Sequence, residues 1–415
     1  MFLSEGLYYL RFKSRNSLCP FYEILRSLSY IEESPTVISQ SSSLYAHSGP
    51  HRHCRSTMST SSSESDWQHL LINEFFEVKI PSRHPESTVT QAQCFQVARQ
   101  ILQVLDIKHV GIQGQYSFTL FSPIRSKIIQ FRLDSLDDNL LALVHQVYEH
   151  ESPKVERYQG PISFPLPIYI SDLAKGVYLP AIEHPALVKP FPIETQLRTV
   201  IDLARFIARA THFPQPPGMC LPDSWTASAP LFLDQLIHTF ATHAPDLSPI
   251  VERTRSDLHL LDMLPIVLTH TGLGIGNIFV DRDDGHITAV IDWDHAGLEV
   301  FGLSVWTLYE CFLSYKQWDE IHFYTNIVSD GRPAHQVLEE AFWNEIWLSV
   351  SDRIDRKKHE EAVKAAVTLW ILNRYFRGSE TTFDINNEEH ASELARARAI
   401  FEYMEKSKET ASLNT

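Results

Sequence analysis

The chain has 415 residues, 44% of them hydrophobic and 21% charged, with a formal charge of −15. That length accommodates one two-lobed enzyme with an extension, or two to three small domains, and the composition is ample for a buried core. The acidic balance argues against a nucleic-acid backbone as partner, which needs clustered Lys and Arg. It would steer a cationic small molecule towards the surface, although ordinary acidity of a soluble protein is the simpler account.

Residues 1–66 show no pattern of a folded element. Twelve serines fall between Ser34 and Ser65, with few residues that could pack, so a disordered serine-rich extension is expected. Met58 precedes the first sustained periodic segment and is a candidate later start of translation. Arg11, Lys13 and Arg15 among aromatics give a faint mitochondrial signature; Glu5, Glu23, Glu32 and Glu33 oppose it, and a cytoplasmic location is expected. No apolar run approaches the ~20 residues that cross a bilayer, so no membrane partner is expected. Cys19, Cys54, Cys94, Cys220 and Cys311 are scattered and never in CxxC spacing, which points to a reducing compartment without a zinc site. His51, His53 and Cys54 look metal-like in spacing, but in a serine-rich tail the cluster is read as incidental.

Residues 67–173 read as a small α+β lobe. Gln93–Leu105 places Cys94, Val97, Ala98, Ile101 and Leu105 on one helical face. Val110 to Phe121 reads as strand, turn, strand with Gly114 at the tip. A loop of Gly114, Gln115, Tyr116 and Ser117 could lay backbone N–H groups over phosphates, or be an ordinary hairpin. Lys127–Arg132 reads as a third strand ending in a cation. The helix after it opens with Ser135, Leu136, Asp137 and Asp138 in a capping-box-like start. Asp137 there either pairs with a cation or, more simply, sits in the first turn where the helix dipole favours an acid. Pro165–Leu173 reads as a strand leaving the lobe.

From residue 174 the chain becomes largely helical. Leu197, Val200, Ile201, Ala204, Ile207 and Ala208 mark an amphipathic helix ending before Pro214, and Leu231–Thr242 and Arg253–Leu261 follow. Leu303–Trp318, Gln336–Val350, Glu360–Phe376 and Glu388–Lys406 are four further helical patterns. Trp306, Trp318, Trp343, Trp347 and Trp370 among them read as packing residues.

The richest stretch is Leu268–Trp293, LTHTGLGIGNIFVDRDDGHITAVIDW. Ile278–Asp281 and Ile287–Asp292 are rich in Ile, Val and Phe, and Asp283, Asp284 and Gly285 between them signal a turn. Paired antiparallel, these runs bring Asn277 and Asp292 side by side on strands ~5 Å apart. An amide oxygen and a carboxylate so placed suit a hard cation such as Mg²⁺, held jointly with phosphates. Asp292 and Asp294 would share a side of a regular strand. No GxSxG elbow, HExxH helix or complete Walker A motif is present.

The ordered set Thr269-His270-Thr271-Gly272-Leu273, Asn277-Ile278-Phe279-Val280-Asp281, Gly285-His286-Ile287, Ile291-Asp292-Trp293 and Val300–Trp306 resembles the aminoglycoside phosphotransferase / choline kinase-like family, its fungal members above all. The resemblance implies an α+β, two-lobed protein kinase-like fold, with a β-rich N-lobe and a mainly helical C-lobe carrying the hairpin 268–294. It implies ATP and Mg²⁺ in the cleft, a small-molecule hydroxyl as phosphoryl acceptor, and metal-binding roles for Asn277 and Asp292. Arg132 matches the IxQFR variant of the fungal group, whereas Gln130 occupies the place where other members carry Arg or Lys. The resemblance thus leaves the phosphate-pairing position open, and Arg132 could equally be a solvated strand end. Ser171, Asp172 and Leu173 fall where the family's hinge holds adenine by its backbone. One position departs. The family's catalytic aspartate sits two residues after the histidine, and that residue is Gly272. Glycine can neither accept the hydroxyl proton nor orient the oxygen. An impaired phosphotransferase and a non-catalytic pseudokinase therefore compete, with His270 either an architectural residue or, being neutral near pH 7, a substitute base.

Overall fold

The computed structural model describes residues 69–111, 113–178, 192–216, 224–317, 320–377 and 383–413. The serine-rich extension, Met58, Cys19, Cys54, Cys220 and Trp318 lie outside the described residues.

The small lobe is a five-stranded antiparallel sheet in the order β1-β2-β3-β5-β4. Its strands are β1 (Lys108–His109), β2 (Ser117–Ser122), β3 (Lys127–Arg132), β4 (Val155–Arg157) and β5 (Ile168–Asp172). Phe118, Leu120, Ile129 and Phe131, all fully buried, form one face of that sheet. A helical stretch over 69–83 and helix α1 (Gln91–Leu102) cover it, contributing Phe75, Cys94, Val97, Ala98 and Leu102. Thr90 and Gln93 form a capping box at the start of α1. The helix stops one turn short of the expected face: Gln103 takes a left-handed conformation (φ 53°), and Leu105 is left 85% exposed.

The first strand of the expected hairpin is also shorter than the residue types suggest, because Gln113 replaces backbone with side chain. Its amide donates to Thr119 O and accepts from Thr119 N, both at 2.9 Å. Val110 N keeps a long bond of 3.5 Å to the same Thr119 carbonyl. Among the described residues, Val110, Gly111 and 113–116 belong to no strand.

Helix α2 (Asp138–Val147) is capped by Asp137, whose carboxylate accepts from the N–H groups of Asn139 and Leu140. This is the helix-start role for Asp137, and not a cation pair.

The large lobe is built on α3 (Ile193–Arg209), α4 (Trp225–His243), α5 (Ser248–Asp257), α6 (Ala334–Ser349), α7 (Arg356–Phe376) and α8 (Glu388–Leu413). The expected α+β architecture is observed: a five-stranded antiparallel sheet in the N-terminal part and a mainly helical C-terminal part. Among the described residues no helix is long and apolar enough to cross a membrane. Trp306 and Trp370 are core residues, at 1% and 4% exposure; Arg374 stacks 4.0 Å over the Trp306 ring.

The pattern Leu303–Trp318 is not one helix. Short helical turns at Leu303–Val305 and Leu308–Phe312 give way to strand β11 (Ser314–Gln317), paired with β12 (Glu320–Phe323). The Ser314 hydroxyl donates to the carbonyls of Tyr309 (2.8 Å) and Glu310 (3.2 Å) and so closes the last turn.

Three strands join the lobes. Past β5, the chain turns through Gly176 into β6 (Val177–Tyr178), which pairs with β8 (Ile278–Val280) of the hairpin; β8 in turn pairs with β9 (Ile287–Val290). Gly176 has φ +88°, and a Cβ there would stand 2.3 Å from Thr288 Oγ1 and 2.5 Å from Val280 O. No other residue fits without moving β8. Gly176→Ala should cost about 2 kcal/mol or more, from left-handed strain plus backbone overlap. Gly111→Ala, where nothing stands within 4 Å of the added atom, should change stability by less than about 0.5 kcal/mol. Denaturant unfolding of both variants checks the contrast.

Candidate functional site

The site is assembled by two antiparallel pairs that open in the same direction. Strand β7 (Ile266–Thr269) pairs with β10 (Gly297–Val300), with Thr269 opposite Gly297. Strand β8 pairs with β9, with Ile278 opposite Val290. The connections 270–277 and 291–296 therefore meet.

Two hydrogen bonds fasten them together. Ile291 N donates to Asn277 O at 2.9 Å, and the Nε2 of His270 lies 2.9 Å from Ile291 O. A carbonyl only accepts, so the His270 Nε2 carries a proton and donates. His270 is 3% exposed, and its ring packs 4.7 Å from that of Trp293. In this geometry it ties the two connections.

Trp293 is the wedge of the second connection. It is buried against Tyr148 and Phe206, and its Nε1 donates to Val290 O at 3.2 Å. Burial pushes the Tyr148 phenol well above its ordinary range, so that ring is packing and not a proton carrier near neutrality.

With the tryptophan turned inward, Asp292 is turned outward. It takes a left-handed conformation (φ 66°, ψ 60°) and is exposed. A non-glycine residue held there is a mark of functional constraint, and Asp is among those that tolerate it. The expected regular strand through Asp294 is absent: β9 ends at Val290, and Trp293–His295 form a tight helical turn. Asp292 and Asp294 accordingly sit in different surroundings, exposed and partly buried respectively.

Gly272 lies in the first connection. Its carbonyl accepts from Asn277 Nδ2 at 2.9 Å and from Gly274 N at 2.7 Å. Committing the Asn277 amide nitrogen to Gly272 leaves that side chain's oxygen to face a cation. An Asn oxygen and an exposed carboxylate are hard donors suited to Mg²⁺. They fit a metal shared with phosphates, although among the described residues no group of three or more His, Cys, Asp or Glu side chains could hold one alone.

A Cβ at Gly272 would meet only His270 Cε1 at 3.8 Å and Asn277 Nδ2 at 3.9 Å, and the backbone is not left-handed. Both distances are ordinary contacts. The backbone therefore admits a Cβ at this position.

The N-lobe residues are distributed as follows. Gly114, Gln115 and Tyr116 lie in the loop before β2, with Ser117 at the start of that strand. Gln115 O accepts from Lys79 Nζ at 3.0 Å and Tyr116 O from Leu133 N at 3.0 Å. Ser117 is buried, its hydroxyl 3.2 Å from that of Thr119. Ser171 and Asp172 lie on β5, between β3 and β4, and Leu173 N donates to Ser126 O at 2.9 Å. That bond takes the Leu173 N–H expected to reach adenine, so of the hinge positions Leu173 contributes no donor in this conformation.

Arg132 ends β3 and is 5% exposed, with its guanidinium paired to Asp294. Sequence reasoning offered Asp137 as one candidate partner, with the helix-start role the simpler reading, and Asp294 as an acid that either supports the metal or closes the strand. The two are 162 positions apart, and no local pattern connects them.

Residues 180–339 match the model of the phosphotransferase enzyme family, APH. The family recognised from the motif is thus the one whose model matches, over the segment that contains the motif. No curated protein gave a match. Among solved structures, the chain is similar to a thermostable mutant of aminoglycoside phosphotransferase APH(4)-Ia in ternary complex with ADP and hygromycin B. The identity is 18%, with 74% of this chain and 96% of that chain covered, at a TM-score of 0.44. It is similar also to choline kinase LicA from Streptococcus pneumoniae, at 13% identity, 75% and 98% coverage and a TM-score of 0.40. A third is aminoglycoside phosphotransferase APH(3'')-Id from Streptomyces rimosus in complex with ADP and streptomycin, at 15% identity, 68% and 99% coverage and a TM-score of 0.38.

If His270 is a tie, His270→Ala should cost about 1–3 kcal/mol, the penalty for leaving the Ile291 carbonyl without its donor in a buried place. Urea unfolding measures it. A variant as stable as the wild type would return His270 to the candidates for proton transfer.

Proposed function

We propose that this protein binds ATP with Mg²⁺ in the cleft between the lobes and is an aminoglycoside phosphotransferase-like protein whose transfer step is impaired at Gly272. The observation that carries the reading is the pair of fastened connections, which present Asn277 and Asp292 together while leaving room, and no side chain, at 272. Bound Mg²⁺ would neutralise charge on the phosphates. Asn277 and Asp292 are the residues that would hold it, and the loop 114–117 and Arg132 are the candidates for phosphate contacts. The acceptor is a small-molecule hydroxyl, and the net negative charge favours a cationic one. Nothing in the reading calls for nucleic acid.

Gly272 itself supplies no group to take the hydroxyl proton. General-base assistance is worth ~10²–10⁴-fold, whereas phosphoryl transfer depends mainly on positioning and charge neutralisation. A slow enzyme is consistent with that balance. The second reading, favoured by the same glycine, is a pseudokinase: a nucleotide- or partner-binding module without turnover.

Thermal unfolding with and without ATP·Mg²⁺ tests the shared part. Ligand at ~100 times its Kd should stabilise the wild type by ~2.7 kcal/mol, and Asp292→Ala should lose most of that gain. No stabilisation of the wild type would refute nucleotide binding altogether.

Gly272→Asp separates the two readings. The restored carboxylate should raise ATP turnover by ~10²–10⁴-fold over the wild type, with Asp292→Ala as the blank. A wild type already turning over briskly would sink the impairment. If Gly272→Asp binds ATP·Mg²⁺ and stays at the blank with every acceptor tried, the binding-module reading stands instead.

A further inference from the structure

We infer that Asp294 is the positioning residue for Arg132, taking the place of a helix-borne carboxylate and holding the β3 cation across the cleft where nucleotide phosphates would lie. The inference rests on the nucleotide-binding reading above and goes beyond it by assigning Asp294.

The argument starts from cost. A guanidinium at 5% exposure must be paired, since a buried charge without a partner is strongly unfavourable. The nearest helix supplies no partner: the carboxylate of Asp137 is spent capping α2. Arg132 reaches instead to Asp294, whose side chain is 16% exposed and lies on the opposite lobe. Only Trp293 separates that acid from Asp292 along the chain, so the pair ties β3 to the connection that carries the candidate metal carboxylate.

A second observation points to an anionic ligand. The Arg132 Nε–H is buried and has no hydrogen-bond acceptor among the described residues, although guanidinium N–H groups in such places are normally satisfied. An oxygen of a bound phosphate would supply the acceptor. Asp294 therefore acts through Arg132: it fixes the fork's orientation so that a remaining donor faces the cleft. The same pairing makes Asp294 a poor substitute for the carboxylate missing at 272, because its charge is already engaged by a cation.

The test is a double-variant cycle read as affinity. ATP·Mg²⁺, ADP·Mg²⁺ and adenosine are titrated into the wild type, Arg132→Ala, Asp294→Asn and the double variant, with melting temperatures recorded alongside. Each single variant should weaken ATP·Mg²⁺ and ADP·Mg²⁺ by about tenfold or more, the scale of one charge-assisted hydrogen bond, and leave adenosine within about twofold. The double variant should be no weaker than Arg132→Ala. Asp294→Glu should recover part of the loss. Unchanged phosphate affinity in Asp294→Asn would overturn the inference while leaving nucleotide binding intact. Additive losses would mean that Asp294 acts on the metal directly, which also overturns it. Equal weakening of adenosine would reduce the pair to a purely structural lobe contact. A wild type that binds neither ATP·Mg²⁺ nor ADP·Mg²⁺ would overturn this inference and the functional reading together.

Discussion

Everything the site can do depends on the fastening of two irregular connections to each other. Residues 270–277 and 291–296 contain no strand and only single tight turns, so local structure gives them little stability. Their shape comes from the Ile291 peptide unit, which donates to Asn277 O and accepts from His270 Nε2. One peptide thus gathers the histidine, the asparagine and, through its own chain direction, the aspartate that follows it. Trp293 then fixes which way that aspartate points, by burying itself in a nest of Tyr148 and Phe206. The left-handed conformation of Asp292 is the strain left by that choice, held in place by packing around it.

The same fastening keeps the form of the loop without any side chain at position 272. Position 272 contributes to the loop through its carbonyl, which accepts from Asn277 Nδ2 and Gly274 N. No bond of the fold passes through a side chain there. Replacing a carboxylate by hydrogen at such a position removes chemistry without removing a structural contact. Asn277 remains oriented because its partner is backbone. The form of the loop is therefore independent of any side chain at this residue.

How much of this was legible in the sequence follows from range. The hairpin could be read because its signals are local: two β-rich runs, Asp283-Asp284-Gly285 between them, and Gly285 at φ +81° in the turn. The long helices could be read because amphipathic period survives wherever one face is solvent-exposed. Leu303–Trp318 failed for the opposite reason. Residues 301–314 are buried without exception, so an apolar run there carries no face and hence no period. The strand expected from Val110 is shorter than its residue types suggest, and the Gln113 side chain, not its backbone, bonds Thr119 N and O. The partner of Arg132 was invisible because pairing across 162 residues is a property of the assembled fold.

The lobes are consequently joined at more than the covalent hinge. Strand β6 joins the β8–β9 hairpin as its third strand, Thr288 Oγ1 donates to Lys175 O at 2.6 Å, and Val290 N donates to Glu151 O at 2.6 Å in the segment after α2. The Arg132–Asp294 pair adds a charged contact on the cleft side. Hinge and hairpin are therefore linked by backbone pairing through β6, and the Arg132–Asp294 ion pair ties β3 to the turn that follows β9.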